Sequence, residues 1–207
     1  MGLAAFTTLA FLLWRRSVEF GIALLPVFCY ELLAAISFIV RRPLQRQATG
    51  AAPRLVAYAH SFMPMAFLEA ASRWRPEWLR ATSAITLNYL GIGVWLVASV
   101  LALWPIWYLR RAFSIEPQAR VLVTGGPYRL ARHPIYVLYL LINASLLVRH
   151  PTPQLAGIIA VWVVLLLLRV RYEEHVLEAT FPEYASYRAS VGAFGPRLRA
   201  PARPREV

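Results

Sequence analysis

The stretch GPYRLARHPIYVLY, from Gly126 to Tyr139, carries two arginines, a histidine, two prolines and three tyrosines at the start of an apolar run. Arg129 and Arg132 are forked donors suited to carboxylates or phosphates. His133 can donate or accept a proton near neutral pH. Gly125 and Gly126 let backbone come close to a ligand, and with Thr124 and Pro127 they signal a turn. Pro134 then falls at a first helical turn, where its missing N–H is harmless. Tyr128 and Tyr136 offer ring faces and hydroxyls. The same residue types also make a membrane-interface belt, with arginines on lipid phosphates and tyrosines at headgroup depth.

A second polar group, RVRYEEH, spans Arg169 to His175. Arg169 and Glu173 are four apart and can pair on one helix face, as can Arg171 and His175. Glu173 and Glu174 point about 100° apart on a helix, so one can face inward while the other meets arginine or water. A solvated helix end with local ion pairs is the simpler reading. Taken with the first group, though, the chemistry is that of a site with arginine at one end, carboxylates at the other and an aromatic slot between. S-adenosylmethionine, with its amino-acid end, sulfonium and adenine, has the matching features.

The elements that must position these groups are membrane spans. The chain has 207 residues, 59% of them hydrophobic, with mean hydropathy +0.52. Ordinary soluble domains have roughly 45–50% apolar residues. Apolar runs at Val18–Val40, Leu55–Ala71, Ala84–Leu109, Ile135–Val148 and Leu155–Val170 read as four or five spans. RHPTPQ, Arg149 to Gln154, is short enough to make the last two a helical hairpin. The net charge of +12 comes from arginines clustered between the runs, with no lysine at all. That is the pattern of membrane loops, not of nucleic-acid binding. Counting spans from Val18, the loops Arg41–Arg54 and Arg110–Arg132 and the C-terminal tail share one side, which their arginines mark as cytoplasmic. SRWRPEWLR, around Arg73–Arg80, runs against that bias. Met1–Trp14 is apolar but short for a span and lacks the marks of a cleaved leader. Cys29 is the lone cysteine, so neither an internal disulfide nor a cysteine metal cluster is available, and no metal site is expected. GIG at Gly91–Gly93 lies within a span and is no dinucleotide fingerprint. After Tyr172 the helical pattern breaks at Pro182, and the Pro- and Arg-rich end is expected to be disordered.

GPYRLARHPIY followed by RYEEHVLEATFPEYASYRASV resembles the C-terminal half of the isoprenylcysteine carboxyl methyltransferase family and its relatives, the membrane phospholipid methyltransferases. There a G-P-Y-R-x-x-R-H-P-x-Y loop precedes a helical hairpin, and an E-E-x-x-L helix and a tyrosine-spaced tail follow. Glu173, Glu174 and Leu177 match the second motif; Phe181, Tyr184, Tyr187 and Val191 match the third. The resemblance covers roughly Val121 to Val191. Two positions depart from it: Val137 stands where glycine is usual, and Pro182 follows Phe181 where glycine is usual.

The resemblance implies an S-adenosylmethionine-dependent methyltransferase acting on a lipophilic or membrane-embedded acceptor, such as a prenylcysteine-type carboxylate or a lipid amine. Gly126, Pro127, Tyr128, Arg132, His133, Pro134, Tyr136, Glu173 and Glu174 carry over as cofactor-pocket residues, with Arg132, His133 and Glu174 closest to the chemistry. Glu31, an ionisable residue inside a span, together with Tyr139 and Asn143, is a candidate substrate contact. His60 reads as packing or interfacial. The expected fold is all-α: a polytopic integral membrane protein of about five transmembrane helices with a cytoplasmic C-terminal cofactor-binding region. Its expected organisation is membrane spans over 1–120, a methyltransferase-like region over 121–195 and a disordered tail over 196–207, forming one structural domain in a bacterial inner membrane. Two alternatives remain. Membrane sterol and steroid reductases bind NADPH with a similar R-H-P loop, but continue with residues that Ile135, Val137 and Leu138 replace. A non-enzymatic transporter or scaffold explains the spans but not the two spaced motifs.

Overall fold

A computed structural model describes residues 25–73 and 82–197. The readings of Met1–Trp14, of most of SRWRPEWLR and of the chain beyond Arg199 fall outside these residues.

Five long helices stand where the five apolar runs predict them. They are α1 (Leu25–Val40), α2 (Ala52–Arg73), α3 (Thr82–Leu109), α4 (Pro134–Arg149) and α5 (Pro153–Glu178), followed by a short α6 (Tyr184–Ser190). Two of them, over 86–109 and 153–178, are long and apolar enough to cross a membrane. α4 is apolar but shorter, at 16 residues, and the described part of α1 is also 16 residues. α5 runs 26 residues, about 39 Å at 1.5 Å per residue. It therefore continues past Val170, where its apolar run ends, and carries Glu173 and Glu174 on its last two turns.

The helix ends follow from local chemistry. Pro134 opens α4 and Pro153 opens α5, each in a first turn where no N–H is needed. The Thr152 hydroxyl accepts the Leu155 amide at 3.3 Å and caps α5, which closes the predicted hairpin. Pro64 lies inside α2 and has no N–H to give to the carbonyl one turn back, that of His60. The indole of Trp162 on α5 donates to that carbonyl instead, at 3.1 Å.

α3 packs against α4 and α1, and α2 packs against α5. The main core joins Ala34, Phe67, Ile106, Leu155, Trp162 and Leu166. The outward faces stay apolar: Val97 on α3 is 60% exposed and Val164 on α5 is 56% exposed. Contiguous apolar faces of that kind are costly in water and fit hydrocarbon, so the protein is a membrane protein.

The loops after α1 and α3 meet in a two-stranded antiparallel ribbon, β1 (Arg46–Gln47) with β2 (Gln118–Ala119). This places the two arginine-rich loops together. A small second core of Ala119, Val176, Phe181 and Tyr184 fixes the ribbon against the end of α5 and the tail.

Candidate functional site

A residue before proline is disfavoured in the helical region. His133 accordingly sits outside α4, at φ −126° and ψ 58°. The amides of Arg132 and His133 are thereby free to donate to the carbonyls of Gly192 and Ala193, at 2.9 Å each. The RHP corner and the tail after α6 are thus tied backbone to backbone.

The side chains continue the tie. Arg132 donates through Nε and Nη2 to Oε1 of Glu174, at 2.9 and 2.7 Å. Its Nη1 donates to the carbonyls of Val191 and Arg188. His133 Nε2 lies 3.1 Å from the same Glu174 oxygen, and Nδ1 lies 3.8 Å from Glu173 Oε2. One turn along α4, the Tyr136 hydroxyl donates to Glu173 Oε1 at 2.6 Å. Arg169, one turn back on α5, donates to that oxygen at 2.9 Å, the i,i+4 pair expected from the spacing. The rings of His133 and Tyr136 are nearly parallel, 5.5 Å apart. No bond joins Arg171 to His175 among the described residues.

The turn Gly126–Arg129 is a single 3₁₀ turn beside this cluster. Its Tyr128 is buried, and the Tyr128 carbonyl accepts the Tyr187 hydroxyl at 2.6 Å. Burial pushes the Tyr128 phenol well above its ordinary range and the Tyr187 phenol up to about 12. Both stay protonated donors at neutral pH. Gly126 has φ +59°, and a Cβ there would lie 2.5 Å from the Tyr108 ring. Replacing Gly126 by alanine is therefore expected to cost about 1–3 kcal/mol, from left-handed backbone and overpacking together. Thermal unfolding of the purified variant measures that loss, and an unchanged midpoint would refute it.

The candidate substrate residues lie one layer deeper. The Tyr139 hydroxyl bonds to that of Tyr30 on α1, and its ring lies 6.1 Å from that of Tyr136. Glu31 and Asn143 are both buried, and Glu31 Oε2 has no partner among the described residues. Glu31 is therefore inside the helix packing, not at its edge.

Two residues play larger parts than their spacing shows. Arg169 is 7% exposed and also donates to Ser61 Oγ at 2.8 Å, His60 Nδ1 at 3.2 Å and the Ile115 carbonyl at 2.9 Å. His60 stacks on Trp162 at 4.8 Å. Because arginine only donates, His60 Nδ1 accepts, and the ring proton belongs on Nε2. The signal in the sequence was Pro64 four residues after His60, which frees the carbonyl that Trp162 holds.

The donor set suits a cationic ligand with a ring. Each carboxylate engages Oε1 closely and leaves Oε2 with only a long contact, 3.8 Å to His133 for Glu173 and 3.7 Å to Arg188 for Glu174. Those two oxygens can meet an ammonium or sulfonium, and the His133–Tyr136 stack offers a flat wall. Arg132 is engaged within the protein. Arg129 is exposed at the end of the turn and has no partner among the described residues. Among the described residues no group of three His, Cys, Asp or Glu side chains could hold a metal ion.

The phospholipid methyltransferase family model matches residues 82–184, from the start of α3 to the start of α6. Over those residues the chain belongs to the phospholipid methyltransferase family, within the membrane superfamily that includes the isoprenylcysteine carboxyl methyltransferases. It is 34% identical over 139 residues to the nickel-cobalt-cadmium resistance protein NccN of Alcaligenes xylosoxydans xylosoxydans. It is 33% identical over 139 residues to the cobalt-zinc-cadmium resistance protein CzcN of Cupriavidus metallidurans. Each match covers 67% of this chain, and the chain spans 61% and 60% of the two relatives' lengths. Neither name supports the NADPH-reductase alternative.

Proposed function

We propose that the protein transfers a methyl group from S-adenosylmethionine to a lipophilic acceptor that enters from the bilayer. One observation carries this reading in a chain of this family. Two adjacent carboxylates, each with one oxygen only loosely held, face a stacked histidine–tyrosine pair at the end of a membrane-length helix.

When bound, the cofactor supplies an electrophilic methyl on a sulfonium. The residues of this chain bind, orient and exclude water. Glu173 and Glu174 hold the cationic end through their Oε2 atoms. Arg129 takes the carboxylate of the amino-acid end. His133 and Tyr136 give the ring a surface. Arg132 and Arg169 hold the carboxylates still, so that alignment does not have to be created at the moment of reaction; well-oriented reactants gain several kcal/mol in this way. A carboxylate acceptor gives up no proton. An amine or thiol acceptor does, and in this reading His133 or Glu174 receives it. Glu31, Tyr139 and Asn143 line the inner approach. In the same reading α1 to α5 make about five passes, with the RHP corner and C-terminus on the cytoplasmic side of a bacterial inner membrane. No nucleic acid is involved.

Titrating the purified protein with S-adenosylmethionine and with NADPH tests the cofactor. Binding of the first alone is expected. Arg132→Ala and His133→Ala should each weaken it about tenfold or more, as loss of a charge-assisted contact does. Binding of NADPH alone, or unchanged affinity in both variants, would overturn the assignment. A labelled methyl donor incubated with a lipid extract identifies the acceptor class.

A further inference from the structure

A second charged site lies in the loop layer, apart from the carboxylate cluster. The loops after α1 and α3 enclose a cleft of about 370 Å³ lined by Arg42, Pro43, Gln45, Arg120 and Val121. Arg120, next to β2, is only 8% exposed. It donates through Nη1 to the Arg42 carbonyl at 2.6 Å and through Nη2 to Gln118 Oε1 at 2.8 Å. Both acceptors are neutral, and Nε has no partner. Among the described residues no carboxylate lies within ion-pair distance of Arg41, Arg42, Arg111 or Arg120. Glu116, the acid of this layer, is already engaged by Gln47, by Tyr58 at 2.9 Å and by Arg54 at 3.4 Å.

A buried guanidinium without an anion is costly. Burial, and then the charge of Arg41, push its pKa below the ordinary arginine range. No described carboxylate supplies the missing negative charge, and the cleft beside Arg120 is where an anion from outside can sit. The rim tells which anion. Ile39, Val40 and Leu44, just before and after the Arg41–Arg42 pair, are 75%, 44% and 45% exposed. Apolar side chains next to an arginine-lined cleft match a molecule with a phosphate at one end and acyl chains at the other.

We infer that the Arg42–Arg120 cleft binds the phosphate of an anionic phospholipid, with its acyl chains against Ile39 and Leu44. Free phosphate shares the headgroup chemistry but lacks the chains. The test is thermal unfolding of the full chain in a neutral detergent, with phosphatidylglycerol, phosphatidylcholine or inorganic phosphate added. Phosphatidylglycerol near saturation is expected to raise the midpoint by about 5 °C. Phosphatidylcholine and inorganic phosphate should each give less than half of that shift. Arg42→Gln, an exposed side chain whose backbone bonds are untouched, should lose most of the shift, and Arg42→Lys should recover part of it. An equal phosphatidylglycerol shift in Arg42→Gln would overturn the site. A full shift from inorganic phosphate alone, or from phosphatidylcholine, would overturn the anionic-lipid occupant.

Discussion

Changing Glu174 to glutamine should cost both stability and cofactor affinity. Oε1 of this carboxylate receives two donors from Arg132 and lies within hydrogen-bond distance of His133, and the side chains of Arg132 and Glu174 are 8% and 11% exposed. The amide keeps the shape and removes the charge. Arg132 is then left as a buried cation whose remaining acceptors are carbonyls. Leaving one partner of a buried ion pair uncompensated costs about 3–5 kcal/mol. For a chain of this size that lowers the melting midpoint by roughly 10 °C. On the proposed function, in which Glu174 Oε2 meets the cofactor, S-adenosylmethionine affinity should fall at least tenfold. Because Arg132 also holds the tail through Val191 and Arg188, proteolysis should cut the variant sooner after α6. An unchanged midpoint together with unchanged affinity would refute the role given to this carboxylate.

Arg169→Lys should be nearly as damaging, although the charge is kept. Arg169 holds Glu173 on its own helix, Ser61 and His60 on α2 and the Ile115 carbonyl in the loop that leads to β2. Those acceptors lie in different directions around one planar guanidinium. An ammonium on a flexible stem cannot span them. The expected loss is about 2–4 kcal/mol, since several buried acceptors lose their donor. It should appear in denaturant titration as a lower midpoint, with α2 loosened from α5. Should lysine reproduce the wild-type curve, the fork geometry is not what joins the two helices.

Much of this was legible in the sequence. The five apolar runs gave the helix order, Pro134 and RHPTPQ gave the hairpin, and the arginine-rich loops fell on one side. RHP and EE came together as their spacing and the family resemblance implied. What the sequence concealed was who pairs with whom. Arg132 read as a group for a ligand's carboxylate. It instead binds Glu174, 42 residues away, and the tail carbonyls. No periodicity carries contacts between separate helices. The Arg169–His60–Trp162 arrangement was hidden for the same reason, since its members lie more than 100 residues apart on α2 and α5. Span length was the other limit. Apolar runs show where helices lie, but among the described residues, which include α1 only from Leu25, two of the five have both the length and the apolarity of a full crossing.

The backbone tie between the RHP corner and Gly192–Ala193 also sets an order of assembly. α3, α4 and α5 are all made before those two residues leave the ribosome. A chain stopped at Tyr184 would hold every long helix and the whole family-matched region. It would insert with its carboxylates in place, yet the Arg132 and His133 amides would lack their acceptors, and Arg132 would lack Val191 and Arg188. Every long helix and both carboxylates thus precede, along the chain, the residues that hold the RHP corner in place.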